Sequence, residues 1–222
     1  MTSRAPALRI EGLRYALKDR VLLDGLGVEV PSGSSLAVTG PSGSGKSTLL
    51  MCALGLVKPD AGTVTVAGGD VTRMSARALA AHRRHIGVVF QFGELLPELS
   101  PLENVAIAAL LAGVDRRKAY GSARELLRWL GVPLQGTTGL LSGGERQRTA
   151  VARALVTEPA VVLADEPTGA LDHRSRDTVA DILFDVPRRR GCALVVATHD
   201  PVMAGRADVR VSLDAGRLVE RP

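Results

Sequence analysis

The sequence predicts an α/β fold built on a mainly parallel sheet, with an N-terminal antiparallel β subdomain and an inserted helical subdomain. Three observations lead there. Four short apolar runs, SSLAVT (34–39), IGVVF (86–90), AVVLA (160–164) and CALVVAT (192–198), are continuously hydrophobic, as strands covered on both faces must be. Helical patterns separate them, which is the rhythm of parallel strands joined by crossover helices. Aromatic residues make up only 3% of the chain, so the core is packed mainly from Leu, Val, Ile and Ala.

Taken in order, ALRIEGLRY and VLLDGLGVEV read as an antiparallel pair, which TVTVAG (63–68) extends. A helix from Lys46 to Val57 sets Leu49, Leu50, Ala53, Leu54 and Val57 on one face. Residues 98–135 read as helical, with ENVAIAALLAGV and RRKAYGSARELLRWLGV as two amphipathic segments that interrupt the strand–helix rhythm. A further helix opens at Ser142 and runs to about Thr157. The expected organisation is one domain over 1–222: residues 1–91 and 151–222 form a catalytic core with the β subdomain, and 92–150 a helical insertion.

The formal charge is +5 and the basic residues, nearly all Arg, are scattered. The one dense run, Arg188-Arg189-Arg190, reads as a solvated helix end or turn. Cys52 and Cys192 lie in apolar surroundings and read as unpaired, buried thiols of a reducing compartment. The amino terminus has no signal-peptide pattern, and the longest apolar stretches reach about half of the roughly 20 residues that span a bilayer. A cytoplasmic protein is expected, whose membrane role is borrowed from a partner.

Each buried run ends at a distinctive polar group: Gly40 onward, Gln91, Asp165-Glu166, and His199-Asp200. In open α/β sheets the ligand crevice lies at the carboxyl ends of the strands, so four separated segments converge on one site. The first, Gly40-Pro41-Ser42-Gly43-Ser44-Gly45-Lys46-Ser47, matches the phosphate-loop pattern G-x-x-x-x-G-K-[ST]. Its glycines let backbone N–H groups turn inward on a polyphosphate, and the helix behind it adds a positive amino-terminal end. Lys46 would reach the β- and γ-phosphates, and Ser47 would bind Mg²⁺. A chance Gly/Ser-rich turn would have neither the buried strand before it nor the amphipathic helix after it.

The second segment, VVLADE (161–166), puts carboxylates at the end of an apolar strand. Neighbouring strand residues point to opposite sides, so Asp165 suits the metal while Glu166 faces a water as general base. Alone, the pair would serve equally well as a cap for the following turn. The third, LSGGERQR (141–148), is a good helix cap through Ser142 and Glu145, but a cap does not require two consecutive glycines. Gly143 and Gly144 cost helix stability and would let an anion approach the backbone.

With these residues in view the chain resembles the ABC ATPases. GPSGSGKST, Gln91 after IGVVF, LSGGERQR, VVLADEPTGALD and ATHD are similar to that family's Walker A, Q-loop, signature, Walker B with D-loop, and switch-histidine motifs, in order and spacing. QFGELLPELSPLENV and DEPTGALD resemble the branch with macrolide exporters, lipoprotein-release systems, antimicrobial-peptide transporters and a cell-division ATPase. The resemblance implies a P-loop NTPase (RecA-like) core and a chain that hydrolyses ATP to drive a separate transmembrane permease, for export. The alternative is a division or signalling cassette that acts through a membrane partner without moving a substrate.

It further implies that Tyr15 stacks on adenine, that residues 40–48, including Thr48, hold the nucleotide, and that Gln91 touches Mg²⁺. Lys46, Gln91, Glu166 and His199 would form the catalytic set. Asp172 would lie at a dimer interface, and Ser142, Gly143 and Gly144 would complete the ATP site of a second copy, in a homodimer formed on ATP binding. No nucleic-acid partner is implied, since the coiled coils or paired cassettes of DNA-repair, chromosome and translation types are missing. GTTGLLSGG lacks the branch's usual proline, and Thr149 stands where an aliphatic is usual.

Overall fold

The computed structural model describes residues 6–220; the first five residues, part of the stretch read as carrying no signal peptide, lie outside it. Strands β1 (Leu8–Leu17) and β2 (Arg20–Val30) pair antiparallel, and β4 (Ala61–Val66) adds to β1 on its other side. With β5 (Gly69–Asp70) they form one sheet in the order β2-β1-β4-β5.

The second sheet carries the buried runs as β3 (Ser35–Thr39), β6 (Ile86–Val89), β7 (Val161–Asp165) and β8 (Ala193–Ala197), all parallel where they pair. Its order is β10-β9-β3-β8-β7-β6. The strand β9 (Val209–Asp214) and the edge strand β10 (Arg217–Glu220), a hairpin at the end of the described chain, were not anticipated from sequence; β9 nevertheless runs parallel to β3.

Continuous hydrophobicity has the expected cause. Val162, Ala164, Leu194 and Val196 pack into one apolar cluster, and Val161, Leu163, Ala193, Val195 and Ala197 into another, so successive residues of β7 and β8 serve opposite faces. The second cluster is capped by the antiparallel sheet and by α1 (Lys46–Ala53). That helix stops four residues before the expected Val57. Gly55 takes φ 62°, its N–H bonds to Cys52 O, and Leu56 N–H bonds to Met51 O, a Schellman ending that satisfies the last carbonyls. Both cysteines are buried and unpaired, and burial pushes each thiol up to about 11.

The other cluster is covered by α3 (Pro101–Leu111), α4 (Arg116–Trp129), α5 (Gly143–Leu155) and α6 (His173–Arg190). Short pieces, α2 (Ala76–His82) and α7 (Pro201–Ala204), complete the described helices. The helical stretch expected over 98–135 breaks at Gly113, with φ 84°, and Asp115 caps α4 by accepting from Arg117 and Lys118 N–H. Arg188, Arg189 and Arg190 form the exposed last turn of α6, as expected, and the last two stack over Trp129 at the end of α4, 5.8 and 5.3 Å from the ring centre. Among the described residues no helix is long and apolar enough to cross a membrane.

The start of β3 and the approach to β9 are tied by one carboxylate. Asp208 Oδ2 accepts Ser35 N–H at 2.8 Å and Ser35 Oγ–H at 2.7 Å, and these bonds, led by the hydroxyl, lower its pKa. A carboxyl lowered on folding stabilises above its unfolded pKa, about 4, and loses that contribution as pH falls through the folded value. In chemical denaturation Asp208→Asn should therefore be less stable than the parent near neutrality, with the gap closing as pH drops below about 4.

Candidate active site

Sheet register brings the expected residues together. Val38 pairs with Ala197, and Ala197 with Asp165, so β3, β8 and β7 finish on one level. The ladder runs one step further, with Thr198 N–H donating to Val38 O at 3.0 Å and Glu166 N–H to Ala197 O at 2.8 Å. Gly40, Glu166 and His199 therefore leave the sheet side by side.

The loop from Gly40 curls because its glycines can take left-handed backbone. Gly40 has φ 148°, and a Cβ there would lie 2.6 Å from Leu213 O of β9. Gly45 has φ 108°, and its Cβ would come within 3.0 Å of Leu22 O. The loop is thus wedged between the β1–β2 hairpin and the unanticipated β9. Arg20, near the hairpin turn, donates to Gly43 O at 3.2 Å. Lys46 is buried and folds back over the loop, its Nζ donating to Gly40 O at 2.8 Å and Pro41 O at 3.1 Å. Tyr15 lies half-buried on β1 opposite Leu23.

Asp165 ends β7 with its Oδ1 buried and without a hydrogen-bond partner, while the Ser47 hydroxyl approaches the same carboxyl group. Burial first, and then the charge of Glu166, raises the Asp165 pKa; Ser47 and Lys46 act in the opposite sense. A buried carboxylate oxygen lacking a donor is what a cation would satisfy, so Asp165 and Ser47 fit Mg²⁺. Among the described residues no group of three His, Cys, Asp or Glu side chains gathers that would hold a metal by itself.

The side chains of Asp165 and Glu166 diverge for a reason other than strand alternation: Glu166 has already left the strand, at φ 44°. Its Oε1 accepts from His199 Nδ1 at 2.8 Å, which fixes the tautomer with the proton on Nδ1, and its Oε2 accepts from Thr198 Oγ1 at 3.2 Å. His199 itself is largely exposed, with 66% of its side chain open. Gln91 follows β6 and leans on the turn after Glu166: a Cβ on Gly169 would lie 3.0 Å from its Nε2. Among the described residues its amide bonds neither Asp165 nor Ser47.

Ser142, Gly143 and Gly144 stand elsewhere. Ser142 caps α5 in a reciprocal box, its hydroxyl accepting Glu145 N–H while Glu145 accepts Ser142 N–H at 2.9 Å. Close packing is a second reason for both glycines: a Cβ on Gly143 would meet Leu171 at 3.3 Å, and one on Gly144 would meet Ser175 Oγ at 2.8 Å. No hydrogen bond among the described residues joins 142–144 to the loop 40–48. Asp172 is the cap of α6, accepting Ser175 N–H at 3.0 Å. Thr149 is buried and its hydroxyl donates to Glu145 O at 2.7 Å, so the departure from an aliphatic leaves no unpaired group.

Sequence reading missed how α5 grips the segment after β6. Buried Gln147 donates to Phe90 O at 2.9 Å, and Arg153 donates to Gly93 O at 2.7 Å and to Glu94 O. A signal was present: Gln147 shares the helix face of Ala150, Val151 and Ala154, where an unpaired amide would be costly. Further along, buried Asn104 accepts Leu96 N–H at 2.8 Å and donates to Leu96, Leu99 and Ser100 carbonyls. The pinned loop displays Phe92 and Leu96, which are 67% and 46% exposed, whereas Leu95 packs partly into the core cluster.

These features define an ATP-binding cassette. The family model for ABC transporter matches residues 23–169, and the chain belongs to that family; it is an ABC ATPase, a nucleotide-binding subunit that hydrolyses ATP. It is 46% identical over 220 residues to the lipoprotein-releasing system ATP-binding protein LolD of Chromohalobacter salexigens, covering 96% of this chain and 93% of that one. It is 43% identical over 224 residues to an uncharacterized ABC transporter ATP-binding protein of Mycobacterium tuberculosis, covering 98% and 90%. Among solved structures, a dimeric ATP-binding cassette in a post-hydrolysis state bound to ADP and Pi superposes with a TM-score of 0.84 at 30% identity, covering 95% of this chain and 96% of that chain.

Replacing Gln147 by Leu should strand the Phe90 carbonyl in the interior. The expected loss is about 1–3 kcal/mol of unfolding free energy, read by urea denaturation, and an unchanged midpoint would show that the clamp contributes nothing.

Proposed function

We propose that the chain is the cytoplasmic cassette of an exporter, closing head-to-tail with a second copy around two ATP molecules and passing that closure to a separate membrane permease. One observation supports the reading: the loop 40–48 lies beside Asp165, Glu166 and His199, while the capped helix start at Ser142–Gly144 does not reach it. Two copies in opposite orientation would bring the one to the other. The dimeric, ADP-bound cassette similar to this chain supports the pairing, and the relatives named for a lipoprotein-releasing system support a task at the membrane.

In this reading the N–H groups of residues 40–48 cradle the polyphosphate and Tyr15 covers the adenine. Lys46 exchanges its bonds to Gly40 O and Pro41 O for the β- and γ-phosphates. Ser47 and Asp165, with Gln91, would hold Mg²⁺, which neutralises phosphate charge when bound. Glu166 takes the proton of the attacking water as its oxygen bonds to the γ-phosphorus, and the bond to the ADP oxygen breaks. His199 and Thr198 fix the carboxylate so that it needs no rearrangement to meet that water.

Glu166→Gln preserves shape but cannot accept the proton. ATP binding should persist while steady-state hydrolysis falls about 10²-fold or more. In sedimentation the variant should be a dimer with Mg-ATP and a monomer without nucleotide. Turnover within a few-fold of the parent would remove Glu166 from its role, and a tight dimer in both states would show that protein contacts, not nucleotide, close it.

The displayed apolar pair beside Gln91 gives the permease its foothold. Because Leu95 is partly core, the informative substitution is at Leu96. Leu96→Glu should leave hydrolysis by the isolated chain unchanged and abolish its stimulation by the permease; retained stimulation would remove Leu96 from the contact.

A further inference from the structure

We infer that Arg176 is a positioning residue for ATP hydrolysis, holding the His199 segment through Asp200 so that the Glu166 carboxylate stays aimed. The inference rests on the reading of Glu166 as general base.

The segment that carries His199 has little structure of its own. It leaves β8 at Thr198 and enters α7, a single turn of four residues. One turn fixes several backbone angles for very few hydrogen bonds and does not persist unaided. Two arginines pin it to α6, one before the turn and one after it. Arg176 Nη1 lies 3.5 Å from Asp200 Oδ2, and Arg206, just past the turn, pairs with Asp177 at 3.3 Å and with Asp181.

The aim of Arg176 is set by its neighbours. Its Nη2 donates to His173 Nδ1 at 2.8 Å, and because a guanidinium can only donate, that ring nitrogen carries the lone pair. Asp177, the carboxylate next in sequence, is claimed by Arg206 and stands 4.0 Å from Arg176 Nε. Among the described residues that Nε is buried without a hydrogen-bond acceptor. A buried donor left unpaired costs free energy, so the guanidinium does not hold this place for its own satisfaction. Nor does it serve mainly as a stabiliser, since both side chains of the Arg176–Asp200 pair keep some contact with water, and such pairs add little. Its effect is geometric.

From Asp200 the path to the base is short. Asp200 N–H donates to Thr198 Oγ1 at 3.1 Å, and Thr198 Oγ1–H donates to Glu166 Oε2 at 3.2 Å. His199, between them in sequence, donates Nδ1–H to Glu166 Oε1 at 2.8 Å. Both oxygens of the base are thus held by residues whose backbone Asp200 anchors. Without Arg176 those bonds can still form, but over a wider range of angles, and a poorly aimed base slows the chemical step while ATP binding persists. The motif ATHD gathers Thr198, His199 and Asp200, yet nothing in it points to Arg176 at the start of α6.

ATP saturation curves on the purified chain test the inference. Arg176→Leu should lower kcat about tenfold and leave KM within about twofold. Asp200→Asn should do the same, because it keeps an oxygen for the Val202 and Met203 N–H groups that cap α7 but removes the charge. Combined, the two should lose no more than either alone, since both break one pair. Arg176→Lys, which still offers Asp200 a positive charge, should keep kcat within about threefold of the parent. Losses that multiply in the double variant would overturn the inference. So would a parent-like kcat for Arg176→Leu per folded molecule, counted by its thermal transition, or an Arg176→Lys as slow as Arg176→Leu. In a Glu166→Gln background Arg176→Leu should cause no further loss; a further tenfold loss would show that Arg176 acts elsewhere and overturn this inference alone. Parent-like turnover by Glu166→Gln itself would remove the base, and this inference with it.

Discussion

The register of the parallel sheet is the constraint on which the site depends. Val38, Ala197 and Asp165 sit on one rung, and Val211 of β9 pairs with Val38 on the other side. One rung further, the chain exits, Glu166, His199 and the wall of the Gly40 loop all fall at the same height. A one-residue slip would turn every buried side chain to the wrong face, so the two apolar clusters hold the chemistry in line. Hydrophobic packing thus sets the ångström-scale geometry of groups that take no part in it.

Much of this was legible in the residues. The four continuous apolar runs became strands because both faces are covered, and the polar groups that end them meet because parallel strands share a carboxyl edge. Less legible was the wall behind the loop. VRVSLD of β9 alternates with Arg and Ser and reads as a weak edge strand, yet its Leu213 carbonyl limits residue 40 to glycine. The end of α1 was also misplaced, because an apolar face continuing to Val57 outweighed Gly55 in the pattern although the backbone obeys the glycine.

In the candidate site, residues with an outward chemical signature stand out in the sequence and residues that act by holding backbone do not. Gln147, Arg153 and Asn104 carry no motif of their own; each matters through carbonyls belonging to distant residues. Gly144 shows the converse, a motif residue with a structural task added, since a Cβ there would crowd Ser175 Oγ at 2.8 Å. Signature residues that look dedicated to a ligand also fasten α5 to α6 inside their own chain.

The two arginines stacked over Trp129 join the end of α4 to the end of α6. Trp129 is the chain's single tryptophan, so its emission arises wholly from that joint. The guanidiniums lie over the indole face, so a tilt of one helix against the other changes the surroundings of the ring. The molecule thereby carries its own optical gauge of motion between α4 and α6, with no label attached.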